Sequence, residues 1–418
     1  MIKIKLPENV KYILHTLNDN GYEAYVVGGA CRDAMLGEEP HDWDIATSAK
    51  PNEVMEVFKN FDIIPTGLKH GTVTINIDDI FMAEVTTFRV DGEYSDGRRP
   101  DNVEFTANII EDLKRRDFTI NAMAYNDRIG LIDPFHGRRD IRNKVVRCVG
   151  NPYDRFNEDA LRILRAIRFA AQLEFYIDDE TSNAIYGCMH MIDKISRERI
   201  QSELCKILSS NYCGCRQLSE YSDVINEFIP GFHLPFKKRI LMNRFVNGYI
   251  DSNNIIDDII TRLALLFNNA ENAEHILTKL KFSKNVIVKT SQLVNCYNNI
   301  EYESLTDKSY IKYLMNKLND EQFIRLLTIK WKCAVITNKH PEYEDCVLKA
   351  YDIYSKIIAN NECYTLKQLA VNGYDLINIG VNESKEIGIA LDMLLDLVIH
   401  DSVENDKDAL LKVIKEGL

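Results

Sequence analysis

The sequence predicts an α+β fold, with an N-terminal head that mixes short strands and helices ahead of an all-helical remainder. Three observations carry this. Runs of β-branched and aromatic residues bounded by turn residues occur before about residue 150 and nearly vanish after it. Beyond that point apolar residues recur at helical spacing in segments 158–171, 197–209, 256–267, 308–318 and 387–399, with Pro230, Pro235 and Pro341 as breaks. At 418 residues the chain is also too long for a single core, so about two to four domains are expected. The expected organisation is a head over 1–145, a helical neck over 146–212, a helical body over 213–320 and a helical tail over 321–418.

In the head, Val10, Ile13, Leu14 and Leu17 have helical spacing, and Gly21 is placed to end that helix. AYVV (24–27) is a strand that runs into Gly28-Gly29. CRDAMLG (31–37) is a short helix stopped by Gly37, and DWDIAT (42–47) is a strand. Pro51 suits the first turn of a helix over NEVMEVFKN. TVTINI (72–77), an Asp78-Asp79 turn and FMAEVTTFR (81–89) form a β-hairpin. In the neck, EDALRILRAIRF (158–169) reads as one helix, with Arg162, Arg165 and Arg168 as a narrow charged ladder between apolar flanks.

The composition, 45% hydrophobic and 27% charged, is that of a folded globular protein. A net charge of −12 argues against a general nucleic-acid binder, and no DNA partner is expected. Residues 111–170, however, carry 13 Lys+Arg against 9 Asp+Glu. A basic strip on an acidic protein points to a localised anion site. The N-terminal residues lack a signal-peptide pattern, and no apolar run is long enough for a membrane span. The ten cysteines form no framework. Cys213-Gly-Cys215 lacks the further ligands of a zinc site, so free thiols in a cytoplasmic protein are expected.

Chemistry concentrates in a few motifs. Asp42 and Asp44, two apart on a strand, point to one face. Like charges that close call for a cation, and a few hard oxygen ligands beside a phosphate suit Mg²⁺. Gly28 and Gly29 let backbone approach a phosphate at a helix N-terminus, and Arg32 adds a charged fork. An ordinary turn with a solvated acidic strand end is the plain alternative. Glu84, alternating with apolar Ala83 and Val85 and sharing a face with Thr86 and Phe88, is the candidate third carboxylate of a two-metal site; an exposed strand glutamate is the alternative. In KRRDFTINAMAYN (114–126), Arg116 suits a phosphate or sugar oxygen and Asp117 a ribose hydroxyl, although a basic capping segment fits the same residues. Asp159 and Arg162, three apart on a helix, are neighbours on one face, and an intrahelical ion pair is their plain reading.

Gly-Gly followed by DWD, RRDFTINA, DPFHGRRDIRNKVVR (133–147), EDALRILRAIRF and SRERIQSEL (196–204), in this order, resembles the class II tRNA nucleotidyltransferases. These are the CCA-adding enzymes, relatives of bacterial poly(A) polymerase in the polymerase-β-like superfamily. LKQLAVNGYDLINIG and KEIGIALDMLLDLVIHD are similar to the tail of short Gram-positive-type members, so the resemblance covers nearly the whole chain and is weakest over 215–350. It implies a polymerase-β-like catalytic head in which Asp42 and Asp44 hold Mg²⁺ and Glu84 is a third acidic residue. Gly28, Gly29 and Arg32 would hold the triphosphate, with Arg116 and Asp117 at the ribose and Asn121 in the same nucleotide-binding motif. Asp159 and Arg162 would act as a protein template for the base, and Arg165 and Arg168 would lie at the nucleotide or primer side.

Base chemistry supports that template. Cytosine and adenine each present an amine donor beside a ring-nitrogen acceptor, whereas guanine and uracil invert the pattern. A carboxylate beside a guanidinium therefore matches the first two and leaves unpaired groups against the others. The expected function is addition of CCA to the 3′ end of tRNA from CTP and ATP, with release of pyrophosphate by two-metal in-line transfer. Poly(A) polymerase and A-only or CC-only addition are the alternatives. RVDGEYSDGRRPDNVEF (89–105) is similar to the flexible loop that CC-only members lack, and the acidic C-terminal residues differ from the basic extensions of poly(A) polymerases. Retained acidic and glycine motifs argue against a non-catalytic RNA-binding protein. A phosphohydrolase is disfavoured because His41-Asp42 and His400-Asp401 lack a companion His and Asp array.

Overall fold

The computed structural model describes residues 3–40, 42–78, 81–92, 102–210, 213–235, 238–242, 259–337, 341–381 and 384–417. The chain forms two compact units, Met1–His233 and Leu234–Leu418.

The first unit opens with α1 (Glu8–Asp19), which buries Val10, Ile13, Leu14 and Leu17 as their spacing requires. β1 (Ala24–Val27) is buried throughout. It leads through Gly28 into α2 (Gly29–Leu36), which ends on Gly37 in the left-handed region. β2 (Ile45–Thr47), α3 (Pro51–Val57), β3 (Asp62–Gly67), β4 (Thr72–Asp78) and β5 (Phe81–Thr87) follow. β8 (Ala124–Asn126) and β9 (Gly130–Ile132) complete a seven-stranded sheet ordered β3-β4-β5-β2-β1-β8-β9. β2 and β5 pair in parallel, with Ile45 opposite Val85; the other neighbours are antiparallel. A separate two-stranded ribbon joins β6 (Arg89–Asp91) to β7 (Val103–Phe105); most of the segment compared with a flexible loop, 93–101, lies outside the described residues. The expected hairpin over 72–89 forms as β4 and β5, with Asp79 of its turn outside the described residues.

Two expectations need correction here. The strand proposed over 42–47 forms only from Ile45, so Asp42 and Asp44 stand in the segment just before it. Burial still alternates there: Trp43 and Ile45 are buried, while Asp42 and Asp44 are exposed. Extended backbone alone therefore sends the two carboxylates to one side. Phe88, expected on the exposed face of Glu84, is fully buried, because β5 ends at Thr87 and the alternation ends with it.

The helix expected over 158–169 is two helices. α6 (Pro152–Glu158) stops at Asp159, whose backbone is extended (φ −144°, ψ 104°), and α7 (Leu161–Leu173) starts two residues later. The Asp159 carboxylate accepts from the Leu161 N–H at 3.0 Å. An aspartate that bonds a nearby backbone donor competes with helix continuation, which explains the break. α9 (Arg197–Leu208), with Ile200, Leu204, Ile207 and Leu208 buried, packs against α7.

The second unit is helical: Ile259–Leu266, Ala270–Lys279, Lys284–Asn299, Lys308–Thr337, Pro341–Ala359, Gly373–Asn378, Ser384–Ile399 and Lys407–Gly417. The helix expected over 308–318 continues beyond a kink at Asn319 (φ 60°). Leu376, Leu394 and Leu410 are fully buried in the core of the C-terminal helices. Among the described residues no helix is long and apolar enough to cross a membrane, and nine cysteines are free thiols.

Candidate active site

A cavity of about 520 Å³ opens between the sheet and α7. Among the described residues, seven arginines (Arg32, Arg115, Arg116, Arg162, Arg165, Arg168 and Arg199) and three aspartates (Asp44, Asp117 and Asp159) line it, together with Gly28, Gly29, Asn121 and Phe169. Eleven of the thirteen residues expected from the sequence thus meet at one place. Asp42 and Glu84 are outside the lining.

The strand-to-helix turn sets the floor. Gly28 has φ +67°, and a Cβ there would meet the Arg116 guanidinium at 3.0 Å. The turn therefore needs glycine both for its conformation and for the close approach of Arg116. On α2, the Arg32 guanidinium donates to Asn121 Oδ1 at 2.7 Å and to Asp33 Oδ1 at 2.8 Å. Asn121 in turn donates to Asp117 Oδ1.

Asp117 is almost fully buried and saturated. Oδ1 accepts from the Phe118 N–H and from Asn121, while Oδ2 accepts from Nε and Nη2 of Arg165 at 2.8 and 2.6 Å. Burial alone would raise its pKa, but the Arg165 charge and its hydrogen bonds hold it down at about 2. A ribose hydroxyl could use this carboxylate only by sharing an oxygen already engaged. Asp112, 1% exposed, takes hydrogen bonds from both Arg115 and Arg116. Burial would raise Asp112 as well, and these two arginines more than offset it.

Asp159 and Arg162, expected as neighbours on one helix, are separated by a helix break, and the plain intrahelical ion pair between them does not form. Asp159 instead receives a bidentate fork from Arg199, with Nη1 to Oδ1 at 3.2 Å and Nη2 to Oδ2 at 2.7 Å. Arg162 donates to Glu158 at 2.5 Å and to the carbonyl oxygens of Arg155 and Arg115. Both still face the same cavity. Arg168 pairs with the buried Glu203 at 3.0 Å. Burial lowers its pKa to about 10, Glu203 opposing this and the Arg165 charge adding to it. Sequence reasoning did not single out Arg115, Phe169, Arg199 or Glu203. The last two sit one helical turn apart in SRERIQSEL, a motif recognised as a unit but not residue by residue.

The acidic edge is different. The parallel register of β2 and β5 places Glu84 one step beyond the Ile45–Val85 pair, beside Asp44 and, like it, exposed. Partial burial at the cavity wall raises the Asp44 pKa; Arg116 opposes the shift and the like charge of Asp42 adds to it. Two carboxylates that repel on one face fit a bound cation. Among the described residues no group of three His, Cys, Asp or Glu side chains comes together as a metal site.

A glycine turn at a helix N-terminus, a cavity dense in arginine and an acidic pair at its rim define a nucleotidyltransferase head. The model of the "Poly A polymerase head domain" matches residues 24–147, that of a probable RNA- and SrmB-binding site of polymerase A matches 174–222, and that of "tRNA nucleotidyltransferase domain 2" matches 253–414. The chain is 34% identical to the CCA-adding enzyme of Ligilactobacillus salivarius over 100% of its own length and 99% of that protein's. To the CCA-adding enzyme of Oceanobacillus iheyensis it is 36% identical, over 97% and 95% of the two chains. The crystal structure of the Bacillus stearothermophilus CCA-adding enzyme in complex with CTP superposes with a TM-score of 0.73 at 30% identity, covering 97% of this chain and 96% of that one. The chain belongs to the family of CCA-adding enzymes, and it is a nucleotidyltransferase. Polymerase-β-like nucleotidyltransferases generally use divalent metals.

Proposed function

We propose that this chain adds CCA to the 3′ end of tRNA from CTP and ATP in the cytoplasm, releasing pyrophosphate. The observation that carries the reading is the cavity itself, where Asp159 and Arg162 converge with Arg32 and the Gly28-Gly29 turn beside Asp44. Full-length likeness to CCA-adding enzymes supports it, as does the existence of a relative bound to CTP. The corresponding division is a catalytic head (1–145), a base-reading neck (146–212), a body (213–320) and a tRNA-binding tail (321–418).

Asp42 and Asp44 would hold Mg²⁺, with Glu84 as a further ligand, and the bound ions would supply activation of the attacking 3′-hydroxyl and neutralisation of the leaving group. The chain's own residues do the rest. Arg32, fixed by Asn121 and Asp33, and the backbone at Gly28-Gly29 receive the triphosphate. Arg116 lies against Gly28, in reach of the same phosphates or the ribose. Asp117 acts by orienting Asn121 and Arg165 and shares an oxygen with the ribose when it binds. Asp159, held by the Arg199 fork, accepts the exocyclic amine of C or A, and Arg162 donates to the ring nitrogen. Arg165 and Arg168 extend the cationic wall beside Arg32, at the nucleotide or primer side.

The deciding measurement is nucleotide incorporation on a tRNA lacking its 3′ end, with CTP and ATP supplied singly and together. Two C additions followed by one A are expected. Addition of A without C, or long A tracts, would refute the reading in favour of A-only addition or poly(A) synthesis.

A further inference from the structure

Among the described residues, Phe169 is the one aromatic side chain lining the cavity. Three guanidinium carbons lie close to its ring centroid: Arg168 at 4.2 Å, Arg32 at 5.1 Å and Arg165 at 5.3 Å. Arg32 comes from α2 in the head, the other two from α7 in the neck. Each also has an anionic or amide partner: Asp33 and Asn121 for Arg32, Asp117 for Arg165 and Glu203 for Arg168. The ring itself is 6% exposed and is braced by an edge-to-face contact with Phe118 at 5.7 Å.

These contacts do different work. A carboxylate meets the N–H groups in the guanidinium plane, so it fixes one edge and leaves rotation about that edge. An aromatic ring nearby draws the cation through its quadrupole and restricts that rotation. Three like charges converging on one cavity also repel, and the negative ring face offsets part of that repulsion without consuming an N–H donor. A carboxylate in the same place would neutralise the cradle and occupy its donors. A plain aliphatic residue would fill the volume and leave the three cations to spread apart.

We propose that Phe169 is a positioning residue, the common seat that holds Arg32, Arg165 and Arg168 together as one receptor for the nucleotide's phosphates. The inference rests on the proposed nucleotide-transfer reading and deepens it. Because the phosphates are the same in CTP and ATP, the ring sets affinity for both without taking part in choosing the base. It also ties the phosphate-holding arginine of the head to the base-reading helix of the neck.

The test uses the full chain as wild type, F169L and F169Y. Calorimetry measures binding of CTP, ATP and inorganic pyrophosphate without tRNA, and steady-state assays measure KM, kcat and CTP-over-UTP preference on tRNA lacking its 3′ end. For F169L, Kd values for all three ligands and KM for both nucleotides should rise together by about tenfold. Base preference should hold, and F169Y, which keeps the ring, should restore binding. Unchanged pyrophosphate affinity in F169L, a loss confined to kcat or to base preference, or an F169Y as weak as F169L would overturn the proposal. Should F169L fail to fold, F169M, apolar and without a ring, takes its place under the same criteria. A wild type that binds nucleotides and pyrophosphate but adds neither C nor A to tRNA would fail the activity reading instead, and the calorimetric comparison would still decide on Phe169.

Discussion

The two sides of the cavity are built on opposite plans. Around α7 the charges of the cavity are paired: Asp159 with Arg199, Asp117 of the head with Arg165, Glu203 with Arg168 and Glu158 with Arg162. At the acidic edge Asp42 and Asp44 stand exposed, partial burial and then its neighbour's like charge raising the Asp44 pKa, with Glu84 alongside on the next strand. The contrast teaches a division of labour. On the proposed reading, the groups that receive base and phosphate are preorganised by the fold, which avoids reorganisation when the nucleotide arrives. On the same proposed reading the acidic edge is completed by a cation.

The sharpest way to break this contrast is Asp42→Ala or Asp44→Ala. Either should cut nucleotide addition by at least roughly a thousandfold, while calorimetry shows CTP still bound by the intact arginine wall. Turnover close to wild type in both variants would erase the distinction. Arg162→Ala attacks the opposite side. It should raise use of UTP relative to CTP by about a hundredfold, as a mismatched hydrogen-bond pattern is no longer penalised; unchanged selectivity in competition assays would remove Arg162 from the template.

A third measurement probes the paired charges around α7 through pH. The folded pKa of Asp117 is about 2, below its ordinary value of 3.8. A depressed carboxylate contributes stability that is fully present above the ordinary value and lost as pH falls through the folded one, here about 2 kcal/mol. Melting curves of wild type should therefore fall more steeply than those of Asp117→Asn between about pH 4 and pH 2. Parallel curves would show that the Asp117–Arg165 pair adds nothing. The smallest effect is expected from Arg199→Lys, which keeps the charge but not the fork on Asp159. Selectivity for C over U should drop by about tenfold with overall nucleotide affinity little changed; wild-type selectivity would mean that Asp159 needs no brace.

Local chemistry was written in the sequence wherever it depended on neighbours in the chain. The spacing of Val10, Ile13, Leu14 and Leu17 made a helix with one buried face, and Gly28-Gly29 between a strand and a helix marked a backbone turn. The order of the motifs named the residues that meet in the cavity, since eleven of the thirteen line it. What the sequence could not settle was which charge answers which. Asp159 and Arg162 have helical spacing, yet Asp159 bonds the Leu161 N–H, breaks the helix and turns to Arg199 forty residues on. Arg165 reaches back to Asp117, and three arginines from two helices gather on Phe169. Backbone preference and apolar periodicity act over a few residues and can be read along the chain. Ion pairing and stacking depend on distance in space, so only the packing of α7 against α9 and the head determined those partners.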